Sequence, residues 1–308
     1  MSQHNAQSTD CVLMVKPACF FSNPETAKTN EFQHSIAADV DGLKLAQAEF
    51  DAAVKTLSDL GVTVIAVDDT EEPQTPDAIF PNNWLTTHTD GTCVMYPMQP
   101  LSRRGERRLD VIKDLRTSYG KSVRHIVDWS GYEESEQYLE GTGSLVLDRA
   151  NRVAYACLSA RTHPVVLQQF CHHFEYELVS FDSTTASGTA IYHTNVMMCV
   201  GTGYAVVCLE SVRDADERKQ LSDSLGKHHE VIEITLDQVA RFAGNMLEVR
   251  SNSGDLLLVM SSSAYDALTD TQRARLADHA TLVQCDVSSI ESASGGGIRC
   301  MLAEIFLP

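Results

Sequence analysis

Three residues far apart in the chain, Glu140, His193 and Cys300, carry the side chains from which a nucleophilic thiol site is built. A thiolate attacks an electrophilic carbon when a histidine manages its proton and a carboxylate orients that histidine. Cys300 follows the run Ser292-Ala-Ser-Gly-Gly-Gly297-Ile-Arg299. Glycines there permit close backbone approach and leave N–H groups, that of Gly297 among them, to face a carboxylate or a developing oxyanion. Taken singly these residues carry little weight, because a lone cysteine is most often an inert buried thiol and a lone histidine a satisfied structural one. Their placement in a repeat is what singles them out.

Four segments read as β-hairpins: residues 84–96 about Asp90-Gly91, 144–158 about Arg149-Ala150-Asn151, 196–209 about Gly201-Thr202-Gly203, and 246–260 about Ser251-Asn252-Ser253-Gly254. Their near-regular spacing marks one supersecondary unit used repeatedly. Amphipathic helical stretches over 106–119, 163–174 and 214–225, and over 43–60 ahead of the first hairpin, each precede a short β-rich run, at 124–127, 176–181, 229–234 and 62–67. The unit therefore reads hairpin, helix, strand. The runs 11–16 and 298–307 lack a hairpin partner of their own, and pairing them completes a fifth unit and closes a ring without exposed sheet edges. The expectation is an α/β fold, a five-bladed pseudo-symmetric propeller, formed by residues 1–308 as a single domain. Just before the hairpins stand Phe80-Pro81-Asn82-Asn83, Glu140-Gly141-Thr142-Gly143, Tyr192-His193-Thr194-Asn195 and Phe242-Ala243-Gly244-Asn245, and Gly296-Gly297-Ile298-Arg299-Cys300 ends the series. In a ring these positions converge near the axis, bringing Asn83, Glu140, His193, Asn195 and Cys300 into one pocket.

Composition narrows the possibilities. With 43% hydrophobic and 21% charged residues the chain is globular, and a formal net charge of −18 argues against a nucleic-acid partner. The strip Arg103-Arg104-Gly-Glu-Arg107-Arg108 reads as a solvated helix face, and Asp128 with Glu133-Glu134-Ser-Glu136 as a solvated acidic loop. Nine scattered cysteines point to a reducing compartment. No apolar run is long enough to span a membrane, and the Met-Ser-Gln-His start lacks a leader pattern, so a cytoplasmic protein is expected. Cys171-His172-His173 with Cys157 and Cys199 has no zinc-ligand spacing, and neither a phosphate-binding loop nor a Gly-x-Ser-x-Gly elbow is present. No metal and no cofactor are expected.

Taken together, the segments resemble the guanidino-group-modifying (pentein) superfamily, which includes arginine deiminase, dimethylarginine dimethylaminohydrolase and the amidinotransferases. Asp77-Ala-Ile-Phe80-Pro-Asn82-Asn83 resembles its first substrate-binding motif, Leu139-Glu140-Gly-Thr-Gly143 its Glu-Gly-Gly-Asp block, Leu158-Ser-Ala-Arg161-Thr-His its Ser-x-Arg-Thr, His193-Thr-Asn195 its His-x-Asp, and Gly297-Ile-Arg-Cys300 its nucleophile loop. The resemblance implies Cys300 as nucleophile, His193 as general acid/base and Glu140 as its orienting carboxylate. It also implies Arg161 as the ligand of the substrate α-carboxylate, assisted by Arg103 or Arg104; Asp77 survives as a carboxylate for the α-amino group or, as the lesser alternative, for a guanidinium. Two departures matter. The family's guanidinium-binding aspartates are here Asn83 and Asn195, and an amide suits the C=O and NH₂ of a neutral ureido group where a cation would lack its carboxylates. The substrate implied is citrulline, cleaved to ornithine, CO₂ and ammonia, as in the citrulline ureidase-like branch. The alternatives are an arginine deiminase, dihydrolase or amidinotransferase, and a non-catalytic binding module of the same fold. Asn245, at the same place in the fourth unit, leaves open that asparagine there is a turn-forming choice. A small amino-acid substrate, with no nucleic-acid or membrane partner, follows, and homo-oligomerisation is left open.

Overall fold

The structure, a computed structural model, describes residues 6–33 and 40–308. Its strands are β1 (Cys11–Lys16), β2 (Thr63–Asp68), β3 (Leu85–Thr87), β4 (Thr92–Met95), β5 (His125–Asp128), β6 (Val146–Asp148), β7 (Val153–Cys157), β8 (Glu177–Phe181), β9 (Met198–Val200), β10 (Tyr204–Val207), β11 (Glu230–Glu233), β12 (Leu247–Arg250), β13 (Leu256–Ser261), β14 (Thr281–Cys285) and β15 (Ala303–Glu304). They form five three-stranded sheets, and in each a central strand pairs antiparallel with one neighbour and parallel with the other. Parallel neighbours need a crossover, and a helix supplies it in every unit: Leu109–Thr117, Pro164–Phe174, Ala215–Gly226, Asp270–Ala277 and Val40–Asp59. The fifth sheet joins the chain ends, with Val12 opposite Glu304 and Leu13 opposite Ala303. Five such sheets fit a pseudo-five-fold repeat.

Burial explains why the hairpins are so apolar. Strands β3, β4, β6, β7, β9 and β10 are buried on both faces, so their sequences run without alternation, whereas the outer strands β2, β5 and β11 are mostly exposed. Trp84, Tyr96, Tyr155, Phe50, Phe170 and Phe181 fill the space between sheets and helices. Caps end the helices where the sequence offers them: Asp214 accepts from the N–H groups of Asp216 and Glu217, and Thr269 forms a capping box with Gln272.

Several segments differ from expectation. The helix expected over 106–119 is Leu109–Thr117, because Leu101–Glu106 winds into a 3-10 turn. The arginine strip is accordingly no solvated face, since Arg103 is only 2% exposed. The acidic loop is partly captured, Glu133 pairing with Arg107 and, at 3.3 Å, with Arg104. The terminal run is β only at Ala303–Glu304. Ile298–Met301 is a 3-10 turn, held locally by Cys300 N–H to Gly297 O and Leu302 N–H to Arg299 O, bonds that a strand would give to a neighbour. Among the described residues no helix is long and apolar enough to cross a membrane.

The turns before the hairpins touch one another. Thr142 Oγ1 donates to Asn82 O, Thr194 Oγ1 to Ser144 O at 2.6 Å, and Asn245 Nδ2 to Asn195 O at 3.0 Å. The 3-10 turn Pro81–Asn83 also packs on Ile298–Met301. Such closeness excludes side chains: a Cβ on Gly244 would lie 2.4 Å from Val196 O and 2.7 Å from Met197 C. Gly244→Ala is therefore expected to destabilise the protein by about 1–3 kcal/mol or more through backbone displacement. Gly226→Ala, where nothing lies within 4 Å of the new methyl, is expected to be neutral or to stabilise by up to about 1 kcal/mol. Urea titrations of the two variants check this; equal stabilities would refute the close packing of these turns.

Candidate active site

Glu140 stands just before the helical turn Gly141–Ser144 and has no exposed surface. Its Oε2 lies 2.8 Å from His193 Nε2, 3.6 Å from Arg161 Nη1 and 3.9 Å from Arg103 Nη1, while Oε1 accepts the N–H of Gln99. Burial alone would raise its pKa, but the charge of Arg161, the His193 hydrogen bond and the charge of Arg103 prevail and hold it at about 2. An ionised carboxylate only accepts, so Nε2 of His193 carries the hydrogen and Nδ1 is the basic nitrogen. Burial depresses His193 to about 4, although Glu140 pulls the other way.

Cys300 is 4% exposed, and its Sγ receives two amide donors, Asn245 Nδ2 at 3.3 Å and Asn195 Nδ2 at 3.4 Å. Burial pushes the thiol up; Asn245, Arg299 and Asn195 offset only part of this. At neutral pH the resting site therefore holds a neutral thiol and a neutral imidazole rather than a thiolate and an imidazolium.

One pocket is lined by Cys300, His193, Asn83, Asp77, Arg103 and Arg161 together with Thr26, Asn30, Phe80, Tyr192, Ser294 and Gly296. Arg103 grips Glu106 through two 2.8 Å bonds and donates at 2.8 Å to Asn83 Oδ1. Burial opposes its charge, yet the Glu106 carboxylate outweighs that and raises its pKa. Arg104 is not among the lining residues and donates instead to Met98 O at 3.1 Å. Arg161 donates to Thr29 Oγ1 and Thr26 O and lies 4.8 Å over the Tyr192 ring. Asp77 accepts from Asn23 Nδ2 at 2.7 Å.

Asn82 and Gly297 support the pocket from behind. Asn82 Oδ1 accepts from Asn83 Nδ2, and a Cβ on Gly297 would meet Asn245 Oδ1 at 2.7 Å. The glycine run is also less free than expected. Ser288–Ser294 is a helix ending in Gly295 at φ +65°, whose N–H is taken by Glu291 O. Sequence reasoning missed the segment 23–30, which lies between β1 and the helix Val40–Asp59. Its Asn30 donates to the carbonyls of Ser294 and Gly295. Tyr192, whose hydroxyl donates to Gly295 O, was visible beside His193 but carried no signal of its own. Among the described residues no group of three His, Cys, Asp or Glu converges as a metal site, and Cys171-His172-His173 lies on the helix Pro164–Phe174 with both histidines exposed.

Solved structures share this architecture. Full-length apo ArgZ, a cyanobacterial arginine dihydrolase of the ornithine-ammonia cycle, superposes with a TM-score of 0.74 at 17% identity over 97% of this chain, which spans 41% of that one. The N-terminal domain of ArgZ bound to substrate gives 0.73 at 16% identity, over 96% of this chain and 97% of the domain. A histidine variant of dimethylarginine dimethylaminohydrolase carrying an S-methyl-L-thiocitrulline adduct gives 0.62 at 15% identity, over 96% of this chain and 99% of the enzyme. No curated protein sequence matches. At these identities the structures establish the mixed α/β fold of the pentein superfamily. The family model described as N,N dimethylarginine dimethylhydrolase, eukaryotic, matches residues 16–307, and the chain belongs to that family.

Proposed function

We propose that the chain is a single catalytic unit, a five-bladed propeller whose site hydrolyses the ureido carbon of citrulline to ornithine, CO₂ and ammonia. One observation carries the reading: the side chains hydrogen-bonded to the thiol are both amides, while the carboxylate beside His193, Glu140, is held by that histidine and the arginines. A guanidinium at Cys300 would find no free carboxylate there, whereas a neutral urea finds donors.

Arg161, with Arg103, receives the α-carboxylate, and Asp77 receives the α-amino group. Asn83 and Asn195 flank the ureido end. The Cys300 proton passes to His193 Nδ1 as sulfur bonds to the ureido carbon. Collapse of the tetrahedral adduct breaks the bond to the δ-nitrogen, and His193 protonates that nitrogen as ornithine leaves. Water then attacks the S-carbamoyl group, giving its proton to His193. The released carbamate decays to CO₂ and ammonia, and the thiol is restored. Glu140 stabilises the imidazolium in both half-reactions.

The second reading is arginine as substrate. It is favoured by the arginine dihydrolases among the structural neighbours and by the Asp77 carboxylate in the pocket. Incubation with citrulline, arginine and dimethylarginine, each followed by assay of ornithine, citrulline and ammonia, separates the two. Ornithine from citrulline is expected; ornithine from arginine but none from citrulline would overturn the citrulline reading. Cys300→Ser is expected to lower turnover by at least about a thousandfold and His193→Ala by about 10²–10⁴-fold.

The resting neutral pair sets the pH dependence. His193 must be unprotonated to accept the thiol proton, so kcat/KM is expected to fall on the acid side near pH 4. Above the ordinary thiol range the proton that His193 must later donate is lost to solvent, which gives the alkaline limb. An acid limb at neutral pH, or thiolate absorption in the resting protein at neutral pH, would contradict this.

A further inference from the structure

We propose that Asn245, paired with Asn195, is a catalytic residue: its side-chain N–H holds the negative charge that gathers first on Cys300 Sγ and then on the oxygen of the attacked carbon. The inference rests on the reading above in taking Cys300 as the nucleophile and, for the charge on oxygen, in taking a ureido carbon as its target.

The orientation of Asn245 is determined by its neighbours. Its Nδ2 lies 3.0 Å from Asn195 O, a carbonyl that only accepts, so the amide must turn its nitrogen and not its oxygen toward that side. The same nitrogen is 3.3 Å from Cys300 Sγ, and Asn195 Nδ2 approaches the sulfur at 3.4 Å. Both asparagines are 1% exposed, so water does not compete for these donors. A turn-forming asparagine would bond its own backbone two residues on. Asn245 does not: among the described residues its Oδ1 has no partner, and the same holds for Asn195 Oδ1.

Two backbone donors of the nucleophile loop are spent elsewhere. Gly295 N–H bonds to Glu291 O and Cys300 N–H to Gly297 O. The paired side-chain amides, already directed at Sγ, are placed to polarise the substrate oxygen. The electron balance suits them. As the thiol proton moves to His193, the sulfur pair forms the S–C bond and the C=O pair moves onto oxygen, two bonds from the sulfur. N–H groups that faced Sγ now face that oxygen. Collapse restores C=O, breaks the C–N bond and takes the proton from His193 to the leaving nitrogen; water attack on the S-carbamoyl group repeats the sequence with sulfur as the leaving atom. Fixed donors aimed at such an oxygen supply about 10²–10³-fold in rate.

Two measurements on the full chain test this. The first is the pH dependence of Cys300 alkylation by iodoacetamide, with the modified cysteine identified by mass spectrometry; it requires no substrate. In Asn245→Leu the thiol titration is expected to move up by about one unit, slowing alkylation at fixed pH roughly tenfold. The second is turnover: kcat is expected to fall about 10²–10³-fold with KM within a few fold, and Asn245→Gln to recover part of the loss. Melting temperatures confirm that each variant is folded, and Asn245→Ala replaces the leucine variant if that one is not. Alkylation and kcat within twofold of the parent in a folded Asn245 variant lacking the amide would overturn the inference. Failure of the parent to cleave citrulline would remove the proposed substrate, and the alkylation result would still decide the role at sulfur.

Discussion

A carboxylate with no exposed surface must find its counter-charges inside the protein, and Glu140 finds them along widely separated parts of the chain. Arg103 follows the first hairpin, Arg161 follows the second, and His193 precedes the third. Stripping a buried ion pair of one partner costs about 3–5 kcal/mol. A fold that buries Glu140 is therefore driven to deliver these three groups to the same place, and the arrangement that removes the penalty is also the one that orients His193, the proposed acid/base group. Stability and chemistry share one constraint. The segment 23–30 is bound into the same cluster through Arg161, which reaches Thr26 and Thr29.

What permits the convergence is how closely the pre-hairpin turns approach. A Cβ on Gly141 would lie 2.2 Å from Asn82 O, and its φ of +45° is in the left-handed region. Backbones that close leave room for small residues and for short polar side chains that bond to the next turn, as Thr142, Thr194 and Asn245 do. The repeat thus places similar residue types at similar positions for packing reasons; on the proposed reading the chemistry uses positions where the type departs, His193, Glu140 and Cys300, together with the recurring asparagines Asn195 and Asn245.

This division explains what could be read from sequence. Hairpins were legible because their turns need Gly, Asn or Asp and their strands are buried on both faces; so was the pairing of the chain ends, because neither had another partner. Alignment on the hairpins also placed Asn245 beside Asn83 and Asn195, but spacing cannot tell a turn-former from a donor aimed at sulfur. Arg103 was misread because four arginines in six residues look alike in sequence; the 3-10 turn Leu101–Glu106 separates the one that meets Glu106 from the half-buried Arg104 and Arg107, which pair with Glu133. Asn23, Thr26 and Asn30 gave no signal because they lie between β1 and the helix Val40–Asp59, away from the pre-hairpin turns on which the alignment rested. Cys300 was expected at the start of a strand, yet the 3-10 turn keeps it at the axis.

The polar balance at the two ends of the pocket is what connects these placements to the choice of substrate. Charged groups form one cluster, Arg103 with Glu106, Asp77 and Glu140, and Arg161 with Glu140; on the proposed reading Arg161, Arg103 and Asp77 of this cluster hold the charged α-carbon end of the substrate. Around the sulfur the polar contacts are uncharged amides. A cationic guanidinium could itself draw the proton from a raised thiol by stabilising the thiolate beside it. A neutral urea cannot, and the resting thiol and imidazole are both neutral. On the citrulline reading, then, thiol, imidazole and urea meet without net charge, and charge separates only as the reaction proceeds. Glu140 stands on the imidazolium side of that separation, and Asn245 with Asn195 on the side of sulfur and oxygen. Buried dipoles and one fixed carboxylate then act on the charge that develops in the transition state, with little effect on the bound ground state.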